Sequence, residues 1–255
     1  MNARYVGDVL ADFVLNGVVG MAVEADAVPE GPMVFRLSTR PPDGMDWVRI
    51  VPHPQLLRPN GDDEFLVNAK PAASAALAAA ATAAAPKVAT LLKYQLGASP
   101  AIVPLRIRTR ASPAEGRTDV LVEYVANPSL LQPLHGATIT VRLNGVPSNV
   151  QAKPEATTIG ATLVWSLGTM TATDGPQRLM ARVFAPDGGE PCQPVATDAS
   201  FSGTGGLSGT TVDPTFRPVD GFVLKQGTVG WLFETGTFTA LPDDTSGSGG
   251  KGQAS

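Results

Sequence analysis

Arg106, Arg108 and Arg110 recur at every second residue of "LRIRTR", and Arg117 follows at the next turn. In an extended strand, residues two apart share a face, so these three guanidinium groups would stand about 7 Å apart along it. A guanidinium fork grips phosphate or carboxylate oxygens. The chemistry on offer is therefore anion recognition, of a phosphoinositide headgroup or an acidic partner. The same row is also what a solvated outer face needs opposite Val103, Leu105 and Ile107.

Other chemistry-bearing residues do not assemble. His53 in "VPHPQL" and His135 in "PLHGAT" stand at no metal-ligand spacing from each other or from Cys192. "GTGGLSG" at 203–209 has Ser208 where the third glycine of a dinucleotide fingerprint would stand, and it lacks the Gly-Lys-Ser/Thr ending of a P-loop. No G-x-S-x-G elbow occurs. Paired carboxylates, Asp62–Asp63 and Asp243–Asp244, lie in loop-like contexts. The chain is read as non-catalytic, with no metal and no cofactor.

The elements that must position the arginines are strands. Val120, Val122 and Tyr124 alternate with Asp119, Leu121 and Glu123; Ile139, Val141 and Leu143 alternate with Thr138, Thr140 and Arg142; Leu163, Trp165 and Leu167 form a further row. A period of two, apolar on one side and polar on the other, marks strands covering one core face. "NGVP", "ATDGP" and "APDGG" supply the turns. Short strands at this spacing predict an all-β sandwich architecture. The exception is "PAASAALAAAATAAAP" at 71–86, whose alanines and bracketing prolines predict one short helix over 72–85, with a low-complexity linker as the alternative. The glycine-rich end, 243–255, is expected to be a disordered tail.

Composition narrows the partners. The chain has 255 residues, and its net charge of −4 provides no global field for nucleic acid, so none is expected as a partner. One cysteine cannot form an internal disulfide, which fits a reducing compartment. The alanine run falls short of the roughly 20 strongly apolar residues a membrane span needs. The N-terminus carries Asp8 and Asp12 within its apolar stretch, unlike a targeting segment.

Five segments in order, "LLKYQL" (91–96), "RTDVLVEYVANPSLL" (117–131), "SNVQAKPEAT" (148–157), "ATLVWSLGTM" (161–170) and "LFETGTF" (232–238), resemble the mu homology domain of the FCHo-like muniscins, a family of endocytic adaptors. "DEFLVNAKPA" (63–72) is similar to the segment that precedes the Leu-Lys-Tyr strand in that family. The resemblance spans roughly residues 1–242. It implies an elongated fold of two β-sandwich subdomains, B inserted into A, with A at 1–90 and 198–242 and B at 91–197. It also implies a cytoplasmic domain, peripheral at plasma-membrane clathrin-coated pits. Its partners would be EH-domain scaffold proteins, a clathrin adaptor complex or cargo tails, with weak peripheral contact to anionic membrane. The alternative it implies is a structural mu-like subunit of a larger vesicle coat, of TSET/TPLATE or clathrin-adaptor type. The Lys-Trp-x-Arg strand with which adaptor mu chains read tyrosine signals has no counterpart here. Where muniscins often carry Lys-Lys-Arg-Phe, this chain has Gly230, Trp231, Leu232 and Phe233.

Overall fold

Alternation of small apolar and polar side chains becomes strand after strand. The computed structural model describes residues 1–21, 36–39, 46–61, 64–67, 89–97, 99, 102–129, 132–208, 210–213 and 232–242. The early strands are β1 (Asn2–Val6), β2 (Val9–Met21), β3 (Arg36–Ser38), β4 (Trp47–Pro52), β5 (Leu57–Pro59), β6 (Glu64–Val67) and β7 (Ala89–Leu96). The middle of the chain forms β8 (Leu105–Ala114), β9 (Arg117–Ala126), β10 (Leu134–Leu143), β11 (Asn149–Lys153), β12 (Thr157–Ile159), β13 (Thr162–Met170), β14 (Gln177–Phe184) and β15 (Pro194–Thr204). β16 (Thr211–Asp213), β17 (Leu232–Glu234) and β18 (Phe238–Leu241) close it. A 3-10 turn covers Ala172–Asp174. The helix expected at 72–85 and the tail expected at 243–255 lie outside the described residues. The all-β class is what the alternating rows predict.

The chain forms two compact units, Met1–Phe13 with Ser99–Thr204 and Leu232–Ser255, and Val14–Ala98 with Gly205–Trp231. In the first unit one sheet runs β12-β13-β10-β15-β18-β1 and on to the start of β2, with β17 also on β15. The second sheet of this unit runs β11-β14-β9-β8. β9 and β10, consecutive in the chain, therefore belong to different sheets. The inner side chains make the core: Ile139 sits opposite Trp165 and Val141 opposite Leu163 on neighbouring strands. Leu105, Ile107, Val120, Val122, Leu179 and Val183 are each at most 3% exposed. Fully burying one such side chain stabilises by roughly 1.5–3 kcal/mol. Two buried hydroxyls, of Thr109 on β8 and Thr197 on β15, satisfy each other at 2.7 Å.

One expected row breaks. Leu163 and Trp165 are buried, but Leu167 is only half-buried. The pairing of β10 with β13 passes from Thr138–Ser166 to Ala137–Gly168, so Leu167 is the extra residue of a bulge. Gly168 holds φ +72°, a conformation side-chain-bearing residues rarely adopt. Beyond the bulge Met170 takes the inward position, 5% exposed.

In the second unit, β2 continues into a β2-β7-β4 arrangement, and β16-β3-β6-β5 forms a separate sheet. Their apolar core gathers Val19, Leu37, Leu56, Leu57, Phe65, Leu91 and Leu92. Gly17 on β2 lies opposite Tyr94 on β7. A Cβ on Gly17 would collide with the Tyr94 ring, so the missing side chain is what lets the ring lie across β2. The ring then meets Trp47 edge-on, with centroids 5.3 Å apart. Gly17→Val is expected to drive the ring out and destabilise the protein by about 2 kcal/mol, the usual scale of overpacking. Denaturant melts should show most of that loss disappearing when Gly17→Val is combined with Tyr94→Ala. Strict additivity of the two changes would refute the clash.

Candidate functional site

The arginine row lies on the outer face of the β11-β14-β9-β8 sheet, where β8 is an edge strand. Inward of it, Leu105, Ile107, Thr109 and Ala111 are buried. The register sets out the outer face in rows that cross the strands. Arg108 lies opposite Glu123, which lies opposite Arg178. Arg110, Leu121, Met180 and Lys153 form the next row, and Ser112, Asp119, Arg182 and Gln151 the one after. Ala114, Arg117, Phe184 and Asn149 complete the pattern.

Each carboxylate on this face serves two arginines. Glu123 is 3.5 Å from Arg110 and 3.1 Å from Arg178. Asp119 is 2.9 Å from Arg182 and 3.9 Å from Arg117. Arg108 meets Asp8 of the β1–β2 turn at 3.7 Å. Arg106 has no carboxylate within ion-pair distance among the described residues. These pairs are solvent-exposed, so each contributes at most about 1 kcal/mol to stability. Their arrangement spreads positive charge across four strands.

All four arginines expected from the sequence thus share one face, with Arg117 beginning β9. The sheet adds three cations to that face beyond the expected four: Lys153, Arg178 and Arg182. "QRLMARVF" carries the same alternation as "LRIRTR", with Leu179, Ala181 and Val183 buried between Arg178, Met180 and Arg182. The signal was present, but no spacing along the chain reveals that β14 lies beside β9.

The remaining candidates have structural occupations. His53 Nδ1 accepts the backbone N–H groups of Gln55 and Leu56, both at 3.2 Å, and so closes its own turn. His135 is an exposed residue beside Thr169. Cys192 is buried at the approach to β15. Among the described residues no three His, Cys, Asp or Glu side chains come together as metal ligands, and no helix is long and apolar enough to cross a membrane. An open recess bordered by Glu115, Asn149, Phe184 and Asp187 lies at the end of the basic sheet, where its turns gather. Trp231 lies outside the described residues, and its neighbour Leu232 is 68% exposed.

Among the described residues the fold is two β-rich units, with β1 paired in parallel to β18 and a charged face on one sheet. The model of the muniscin C-terminal mu homology domain family matches residues 1–220, and the chain belongs to that family. A search of curated proteins finds no match to it. Among solved structures, the zebrafish (Danio rerio) Fcho1 mu homology domain with bound Eps15 peptide is similar at a TM-score of 0.76 and 21% identity, over 95% of this chain and 94% of that one. The yeast delta-COP-I mu-homology domain is similar at 0.58 and 15% identity, over 95% and 92%. The same yeast domain complexed with the Dsl1 WxWxV peptide gives 0.56 and 15% over the same shares.

Proposed function

We propose that this chain is a non-catalytic endocytic adaptor domain that binds scaffold or cargo proteins at early clathrin-coated pits, in the cytoplasm and peripheral to the plasma membrane. The family match over residues 1–220 carries this reading. The likeness to the Fcho1 domain with bound Eps15 peptide supports a short peptide of an EH-domain scaffold protein as the partner. A second reading, a mu-like subunit of a larger vesicle coat, draws on the likeness to the delta-COP-I domain, which was solved with a WxWxV peptide.

Calorimetric titration of the full chain with each peptide tests the two. Saturable binding of the Eps15 peptide, with none of the Dsl1 peptide, is expected. Binding of the Dsl1 peptide alone would transfer the assignment to the coat-subunit reading.

A further inference from the structure

We infer that Ser112 is a phosphate acceptor for a proline-directed protein kinase, and that Arg110 and Arg117 hold the phosphate it receives. Serine or threonine precedes proline at two places in the chain, Ser99-Pro100 and Ser112-Pro113. Proline offers no N–H, so only a kinase that needs no donor beside the acceptor takes such a pair. The structure separates the two. Ser99 is half-buried, and its carbonyl accepts the Ile102 N–H at 3.3 Å. Ser112 is exposed, and so is every residue from Pro113 to Gly116. It lies on β8, an edge strand, where a proline is tolerated. Its backbone is already extended, the form in which a kinase takes an acceptor segment. The β8–β9 hairpin turns at Glu115 and Gly116. Three register pairs, Ser112–Asp119, Pro113–Thr118 and Ala114–Arg117, therefore part to free the segment.

The surroundings of Ser112 are suited to a phosphate. Arg110 stands two residues away on the same face, about 7 Å along the strand. Arg117 stands on the diagonal across the hairpin, at about 7–8 Å. Asp119 lies directly opposite Ser112, where two anions repel. That carboxylate is drawn away, because its 2.9 Å contact is with Arg182 on the far side of β9, whereas Arg117 is 3.9 Å from it. The Arg117 Nε is shielded from solvent and makes no hydrogen bond among the described residues. Arg110 reaches Glu123 at 3.5 Å in an exposed pair. Glu115, the acid of the turn, borders the recess. A phosphoserine brings a charge of about −1.5 to −2 and three acceptor oxygens, and guanidinium groups bond such oxygens strongly. It draws Arg110 and Arg117 out of these long contacts.

The transfer balances with ATP as co-reactant. The Ser112 Oγ attacks the γ-phosphorus, a new O–P bond forms, and the bond from that phosphorus to the β–γ bridging oxygen breaks. ADP leaves with the electron pair, and the hydroxyl proton passes to a carboxylate of the kinase. This inference is independent of whether the chain binds the Eps15 peptide.

The test is incubation of the full, folded chain with ATP, magnesium and proline-directed kinases of the mitogen-activated and cyclin-dependent classes. Trypsin cleaves after Arg110 and Arg117, and in the peptide released, "ASPAEGR", Ser112 is the single hydroxyl residue. That peptide should gain one phosphate. Ser112→Ala and Pro113→Ala should each lose it. Phosphorus NMR then reads the grip. In the phosphorylated protein the second ionisation of the phosphate should fall about 1 pH unit below that of free phosphoserine, because nearby cations favour the dianion. Arg110→Ser with Arg117→Ser should return it to the free value. Arg106→Ser should leave it unchanged, since six residues of strand place that charge about 20 Å away, beyond the roughly 8 Å screening length. All of these are surface changes, and unaltered melting confirms the fold of each variant.

The inference is overturned if neither kinase class phosphorylates Ser112, if Ser99 takes the phosphate in its place, or if Pro113→Ala is phosphorylated as well as wild type. It is equally overturned if the double arginine variant leaves the ionisation of the phosphate where wild type has it.

Discussion

Trp165→Ala is expected to cost about 3–5 kcal/mol, the range for deleting a large buried aromatic side chain. Trp165 is 1% exposed, and on β13 it lies opposite Ile139 and in phase with Leu163. Its ring also has a polar role, since the indole Nε1 donates to the Pro154 carbonyl at 3.0 Å. That bond ties the segment between β11 and β12 to the core strand. Truncation therefore opens a cavity and leaves a carbonyl without its donor, two separate losses. Trp165→Phe separates them, because it keeps much of the volume and removes the donor. It is expected to cost about 1–2 kcal/mol. Denaturant melts measure both, and a loss below about 1 kcal/mol for the alanine variant would mean that the ring does not sit in the core.

How much of this molecule could be read from its residues depends on the range of the interaction. Alternation is local, so the inward sides of β8, β9 and β10 were legible residue by residue. Leu167 was not, because its departure from the row is created by Gly168 and by the partner strand, neither of which the row itself contains. Nor does alternation reveal which strands meet. β1 pairs with β18, more than 230 residues away, and the bond from the Gly236 N–H to the Met1 carbonyl at 2.7 Å closes the same junction.

The candidate site divides in the same way. Arg106, Arg108 and Arg110 declared themselves by spacing on one strand. The carboxylates between them and the second row of arginines come from register. Arg110 meets Glu123 diagonally across the β8–β9 pair, and Arg178 meets it squarely across β9–β14. A strand-by-strand reading finds a row of charge, whereas the width of the charged face is a property of the sheet. The family motifs behave similarly. The tyrosine of "LLKYQL" was legible as a motif, but its packing over Gly17 needed β2 beside β7.

Arg106 also acts inward, and alkaline titration should reveal it. Tyr5 is 2% exposed and donates its hydroxyl to the Leu105 carbonyl at 3.1 Å. Burial disfavours the phenolate and pushes the Tyr5 pKa up to about 12, while the positive charge of Arg106 pulls the other way. In the unfolded chain the same phenol titrates near 10. Between these values the folded protein holds a proton that the unfolded chain has released, so stability must fall as pH rises. The contribution is complete below pH of about 10 and is lost as pH climbs to about 12, a total of about 2–3 kcal/mol at 1.36 kcal/mol per unit. Burial raises Tyr94 and Tyr124 as well, so they add a slope of the same sign. Tyr5→Phe should flatten the largest part of the slope, and at neutral pH it should cost about 1 kcal/mol for the lost hydrogen bond. Arg106→Ser removes the opposing charge, so tyrosinate absorbance should show Tyr5 titrating at still higher pH. A Tyr5→Phe protein with an unchanged alkaline slope would show that this phenol is not held neutral by burial.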